Sequence, residues 1–273
     1  MKKRIIAAAA VLVLAGLAVG ASLLSVRVRS RKHGLREIAA EDIPAPVAQV
    51  GEGFAELADI TMHYERYGES GKELILLHGN GGSCDTLREL AAYLGNHYRV
   101  YLIESRCHGQ SSVTDTISYE AMAEDVFGFI EALGLDKPYF VGHSDGGMVG
   151  LALASLHPDS IEALVSCGSN SNPKTFKLYF RLFVRFNELF SPSILNRLML
   201  EQPDFTEDFL GRIRCRTLIV AAEHDIMRLE DSVFIHESVP GSELIIVQNA
   251  DHCSYIETSG RQAYILVREF LEK

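Results

Sequence analysis

The chain has 273 residues, 47% of them hydrophobic and 23% charged, with a formal net charge of −10. This composition excludes a disordered or collagen-like chain and leaves room for one large α/β domain or two small ones. Seven Lys/Arg and no acid fall within residues 1–34, leaving 19 basic against 36 acidic side chains, a net of −17; such a body repels phosphate backbones, so no nucleic-acid partner is expected.

Residues 5–26 form 22 consecutive uncharged positions with Ser22 and Ser25 as the only polar side chains, preceded by Lys2, Lys3 and Arg4. That length spans about 30 Å of hydrocarbon as a helix. The expectation for residues 1–34 is a single-pass membrane anchor, with a signal peptide cut near Ala18-Val19-Gly20 as the alternative. Basic residues on both flanks nearly cancel the positive-inside bias. The short leader favours an extracytoplasmic body. Cys84, Cys107, Cys167, Cys215 and Cys253 are odd in number and lack C-x-x-C spacing, which argues against a disulfide framework or a zinc site and leans toward the cytoplasm. Residues 35–51, with Pro44 and Pro46, read as a linker, and residues 52–273 as the folded body.

From residue 53 the pattern alternates. A two-strand hairpin is expected over 54–67, turning near Asp59. Strands follow at 74–77, 99–103, 139–141, 161–166, 217–222 and 244–247. Helices are expected at 86–94, 118–133 with Ser118 as N-cap, 146–156, 229–239 and 259–271. Repeated β-α units call for a mostly parallel central sheet with helices on both faces. Residues 170–212 interrupt the alternation with helical, aromatic-rich sequence, as a helical cap over the carboxyl ends of the strands would.

Val141-Gly142-His143-Ser144-Asp145-Gly146-Gly147 contains G-x-S-x-G between an apolar strand and a helix rich in small residues. So sharp a strand-to-helix turn leaves Ser144 exposed above the sheet as a nucleophile. A serine hydroxyl needs a base, and His252 follows the last strand. The base needs a carboxylate to orient it. Asp225 follows strand 217–222, with Glu223 and Asp231 as rivals; Asp251 adjoins His252, but adjacent residues in an extended loop point apart. The oxyanion of a tetrahedral intermediate needs two donors. The backbone N–H of Asp145 is one, and the turn His78-Gly79-Asn80-Gly81-Gly82 supplies the other through the N–H of Asn80.

These motifs together resemble the α/β-hydrolase superfamily over residues 52–273, in its serine esterase/lipase-like branch with a small helical lid. Glu104-Ser105-Arg106-Cys107-His108-Gly109-Gln110-Ser111 also resembles the family's D-x-R-G-x-G-x-S loop, with Glu104 for Asp and Cys107 for Gly; no chemistry is assigned to Arg106 or His108. The resemblance implies a serine hydrolase acting on a carboxylic ester or related acyl bond of a small-molecule or lipid-like substrate, with no cofactor and no metal. Carbon–carbon bond hydrolases and haloperoxidase-like relatives share the three groups, and a non-catalytic ligand-binding protein of the same fold is a further alternative. Oligomeric state is left open.

In the cap, Phe176, Tyr179, Phe180, Phe183 and Phe190 keep one helical face, with Phe186 off it and Lys177, Arg181 and Arg185 on another. One expectation is a lid helix that packs Phe176, Tyr179, Phe180 and Phe183 on the domain as walls of an acyl pocket. The other is a basic, aromatic helix that docks on a membrane.

Overall fold

Short apolar runs bounded by turns are buried on both faces only inside a parallel sheet with helices on each side. A computed structural model describes residues 35–36 and 43–273. The strands are β1 (Leu35–Arg36), β2 (Gln49–Glu56), β3 (Thr61–Tyr67), β4 (Glu73–Leu77), β5 (Arg99–Ile103), β6 (Tyr139–His143), β7 (Ala163–Cys167), β8 (Arg216–Ala222) and β9 (Glu243–Val247). They form one sheet in the order β1-β9-β8-β7-β6-β4-β5-β3-β2. Every pairing is parallel except β2 with β3 and β3 with β5. The helices are α1 (Cys84–Leu94), α2 (Tyr119–Leu133), α3 (Asp145–Leu156), α4 (Leu178–Phe190), α5 (Ile194–Glu201), α6 (Glu207–Leu210), α7 (Leu229–Ser238) and α8 (Gly260–Leu271).

The two-residue period of the strands sorts their side chains into two cores. Ile75, Leu77, Tyr101, Ile103, Phe140, Leu164 and Ile219 meet α2 and α3 through Val126, Phe129, Val149 and Leu153. Leu74, Leu76, Val100, Leu102, Val141, Val165 and Val220 meet α1 and α8 through Leu87, Leu90, Leu94, Leu266 and Phe270. Ser118 caps α2, its hydroxyl accepting the Ala121 N–H at 3.0 Å. Helix α1 starts two residues earlier than expected because Ser83 caps it, while the Thr86 hydroxyl accepts the Ser83 N–H at 3.2 Å. Residues 170–212 hold a 3-10 turn (Pro173–Thr175), α4, α5 and α6, and no strand.

The segment expected as a linker departs from that reading at both ends. Leu35–Arg36 adds a short parallel strand beside β9, and β2 already begins at Gln49. Between them, Ile43 and Val47 pack on the α1–α8 core, and the Val47 N–H donates to the Ala92 carbonyl at 2.9 Å. Proline breaks secondary structure but does not prevent flanking apolar side chains from docking. The expected anchor over residues 5–26 lies outside the described residues. Among the described residues no helix is long and apolar enough to cross a membrane.

The loop after β5 is pinned to α2 by a buried ion pair. The Arg106 guanidinium donates to Asp125 through Nε at 2.6 Å and Nη2 at 2.7 Å, with both residues 6% exposed. Burial pushes the Asp125 carboxyl up against the pull of Arg106. Arg106→Met strands a buried carboxylate and is expected to lower unfolding free energy by about 3–5 kcal/mol. Arg106→Met/Asp125→Leu is expected to lose much less; urea denaturation of both variants is the measurement.

Candidate active site

Helix α1 leads from β4 to one side of the sheet, where β5 lies; α3 leads from β6 to the other side, where β7 lies. Adjacent strands whose connections part in this way leave a crevice at their carboxyl ends. The turn His78-Gly79-Asn80-Gly81-Gly82 follows β4, and Ser144 follows β6. Ser144 has φ 54° and ψ −115°. A non-glycine residue at positive φ there stores roughly 1–3 kcal/mol of strain that its surroundings must offset. The turn closes only without side chains at its flanks. A Cβ on Gly142 would lie 2.2 Å from the Gly146 carbonyl oxygen, and one on Gly146 would lie 2.2 Å from that of Leu77. The Ser144 N–H donates to the Cys167 carbonyl at 2.8 Å, tying the bend to β7.

Ser144, His252 and Asp225 meet although they are far apart in sequence. His252 Nε2 is 3.1 Å from Ser144 Oγ, and His252 Nδ1 is 2.8 Å from Asp225 Oδ1. Asp225 is buried, and its Oδ1 also faces the Met227 N–H at 3.4 Å. Burial works against its charge, yet the nearby imidazole keeps its pKa below the ordinary carboxylate value. For His252, burial pushes the pKa down and the Asp225 carboxylate pushes it up; the carboxylate prevails. The arrangement suits proton transfer from the Ser144 hydroxyl to Nε2, with the resulting imidazolium balanced by Asp225. The rival carboxylates are engaged elsewhere. Glu223 accepts the Asn249 N–H at 2.9 Å. Asp231 accepts the Ser171 N–H at 2.9 Å, and Asp251 caps its own turn through the N–H groups of Cys253 and Ser254.

The glycine-rich turn lies against Ser144: a Cβ on Gly79 would be 3.0 Å from the Cβ of Ser144. The backbone N–H groups of Asn80 and Asp145 donate to no acceptor among the described residues. The side chains of the same two residues join, Asn80 Nδ2 donating to Asp145 Oδ2 at 2.9 Å. The Tyr119 hydroxyl donates to Asp145 Oδ1 at 2.9 Å. Burial raises the Asp145 pKa and these two donors oppose the shift. One side-chain bond therefore connects the loop after β4 to the first turn of α3.

Several supporting residues were assigned no role from the sequence. His108 Nε2 accepts the Gly81 N–H at 3.0 Å while its Nδ1 faces the Arg106 carbonyl at 2.9 Å, so it braces the Asn80 turn. His78 beneath it is fully buried, and burial lowers its pKa to about 4, which keeps it neutral. His143 Nε2 faces the His252 carbonyl oxygen at 2.9 Å and steadies that loop. Gly168, at φ +60°, packs against the imidazole: a Cβ there would lie 3.0 Å from His252 Cε1 and 3.1 Å from Nδ1. Asn170 is fully buried, and neither amide atom has a hydrogen-bond partner among the described residues.

The lid aromatics do not share one environment. Phe176 is buried ahead of α4 and bridges to Met227, two residues beyond Asp225. Phe180 is half-buried and packs on Phe176 at 5.1 Å between ring centroids. Tyr179 and Phe183 are exposed, which corrects the expectation that all four pack inward. The helix starts at Leu178, so Phe176 lies outside it and does not set its inner face.

A metal is a poor match to the interior. Among the described residues, His63, Cys84 and Glu104 bring ligand atoms within 4.8 Å of one another. Glu104 already accepts the N–H groups of Cys84 at 2.9 Å and Gln110 at 2.6 Å and faces His63 Nδ1 at 3.0 Å. Burial also pushes the Cys84 thiol well up, against the thiolate a metal needs.

Gly168→Ala is expected to displace the imidazole and slow fluorophosphonate labelling of Ser144 by about 100-fold. The backbone strain adds only about 1–2 kcal/mol of destabilisation. Labelling rate and thermal midpoint, measured together, separate the two effects.

A family model described as alpha/beta hydrolase fold matches residues 73–191. The esterase YbfF of Escherichia coli is 39% identical over 93 residues, which is 34% of this chain and 37% of that protein. The matched segments span about a third to a half of the first curated relatives' own length. A thermophilic esterase from Thermogutta terrifontis superposes with a TM-score of 0.68 at 20% identity, covering 82% of this chain and 98% of that one. A bacterial membrane phospholipase A superposes with a TM-score of 0.70 at 19% identity, covering 100% of this chain and 98% of that one. With the parallel sheet and the strained elbow, the match over residues 73–191 supports membership of the α/β-hydrolase superfamily.

Proposed function

We propose that this protein is a serine hydrolase that cleaves a carboxylic ester or related acyl bond through an acyl-enzyme intermediate. The observation that carries the reading is the continuous chain Ser144 Oγ, His252, Asp225, with links of 3.1 Å and 2.8 Å. Ser144 Oγ attacks the acyl carbon as its proton passes to His252 Nε2. The oxygen anion that forms is received by the N–H groups of Asn80 and Asp145, which have no other acceptor among the described residues. The imidazolium then returns its proton to the departing oxygen. Water, deprotonated by the same nitrogen, attacks the acyl-enzyme, and His252 returns that proton to Ser144 Oγ as the acid is released. The esterase names carried by the relative from Escherichia coli and the structural neighbour from Thermogutta terrifontis favour an oxygen ester as the bond broken.

Turnover of p-nitrophenyl esters by the full chain, with Ser144→Ala as control, tests the proposal. Ser144→Ala is expected to abolish both turnover and fluorophosphonate labelling; turnover that survives the substitution would overturn it.

The pH profile follows from His252. Its pKa is raised above the ordinary imidazole value, and only the neutral ring accepts a proton. kcat/KM is therefore expected to rise with pH through that raised value. In Asp225→Asn the attraction is gone and burial remains, so the acid limb is expected to move to lower pH while kcat falls by about 10⁴-fold. An unmoved limb would mean that Asp225 does not act on His252.

A further inference from the structure

Helix α4 turns its apolar stripe to solvent. Leu178, Leu182, Phe183, Phe186, Leu189 and Phe190 are each more than half exposed, and Val184 is the one buried residue of the helix. At 3.6 residues per turn these six side chains span about 140° of the circumference, with Arg181 and Arg185 along one border. A surface helix ordinarily points such a stripe at the core. A contiguous patch of this kind left in water marks a face that something covers.

Two further features identify the cover. Residues 174–185 carry Lys174, Lys177, Arg181 and Arg185 and no acid, in a body whose net charge is −17. A second copy docked face to face would set these cations against each other, whereas an anionic surface would neutralise them. The strand β1 also pairs at the carboxyl end of the sheet. Leu35 and Arg36 pair with Ile246 and Val247 at the carboxyl end of β9, and the cap rises from the carboxyl ends of the same sheet. The uncharged run 5–26, followed by Arg27, Arg29, Arg31 and Lys32, precedes this strand in the sequence.

We infer that α4 lies in the surface of an anionic lipid bilayer, its apolar stripe among the acyl chains and its cations at the headgroups. Attachment through residues 5–26 would hold the helix against that surface. The inference stands independently of the chemistry at Ser144.

The chain contains no tryptophan, so one substitution makes a unique fluorophore. The experiment uses full-length Phe186→Trp with vesicles of phosphatidylcholine and phosphatidylglycerol, with and without lipids brominated on their acyl chains. The expected result is a blue-shifted emission that brominated lipid quenches. Phe54→Trp, on edge strand β2 and 54% exposed, is expected to show neither change. Adding Leu182→Asp to Phe186→Trp is expected to remove the shift, and because Leu182 is exposed the fold should survive. Red, unquenched emission from Phe186→Trp in vesicles that carry the chain would overturn the inference. So would a shift that persists with Leu182→Asp. A lipid-independent shift that grows with protein concentration would overturn it in favour of a second copy.

Discussion

The bend from β6 into α3 is the constraint to which the rest of the site conforms. It holds a serine at positive φ, and the backbone passes so close to itself and to β4 that a methyl group at Gly142 or Gly146 would overlap carbonyl oxygens. Strain of this kind persists only where packing on all sides leaves no alternative. Here the anchors are the Ser144 N–H bonded to β7 and the tight seat of α3 on the end of β4. The hydroxyl is thereby fixed at one point in the crevice, and the other loops are positioned relative to it.

What surrounds the bend is organised by burial. Asp145 follows Ser144, and a carboxyl buried there is stabilised by the Asn80 amide and the Tyr119 hydroxyl. Those bonds join three separate elements. His108 and His78 add bonds below, so the turn after β4 is held from both sides. A low-dielectric surrounding strengthens each bond and raises the penalty for breaking one. The same surrounding acts on the Asp225–His252 pair: desolvation opposes both charges, and mutual attraction outweighs it.

The cap obeys a different balance. Phe176 is drawn inward by its bridge to Met227, whereas α4 beyond it keeps only Val184 buried. The helix packs on α5 and leaves its wide apolar side unpartnered among the described residues. Core packing thus accounts for the strands and helices of the sheet but not for the orientation of α4. Its basic border supplies a physical setting for that orientation.

Much of this was legible before any coordinates. Local composition dictates local structure, so apolar runs marked β4 to β9, Ser118 marked a cap, and the glycines around Ser144 marked a sharp turn. Asp225 and His252 were readable because each lies in the loop after an apolar strand. The sequence thus determined which residues sit at the carboxyl ends of strands. Only the tertiary structure decided which ends are neighbours, because strand order rests on hydrogen bonds between distant segments. That is why Gly168 against His252, Tyr119 beneath Asp145 and His108 under Gly81 left no trace in any local pattern. The same reason explains α4: periodicity showed an apolar stripe, but whether a stripe faces the core or the solvent depends on what the rest of the chain leaves room for.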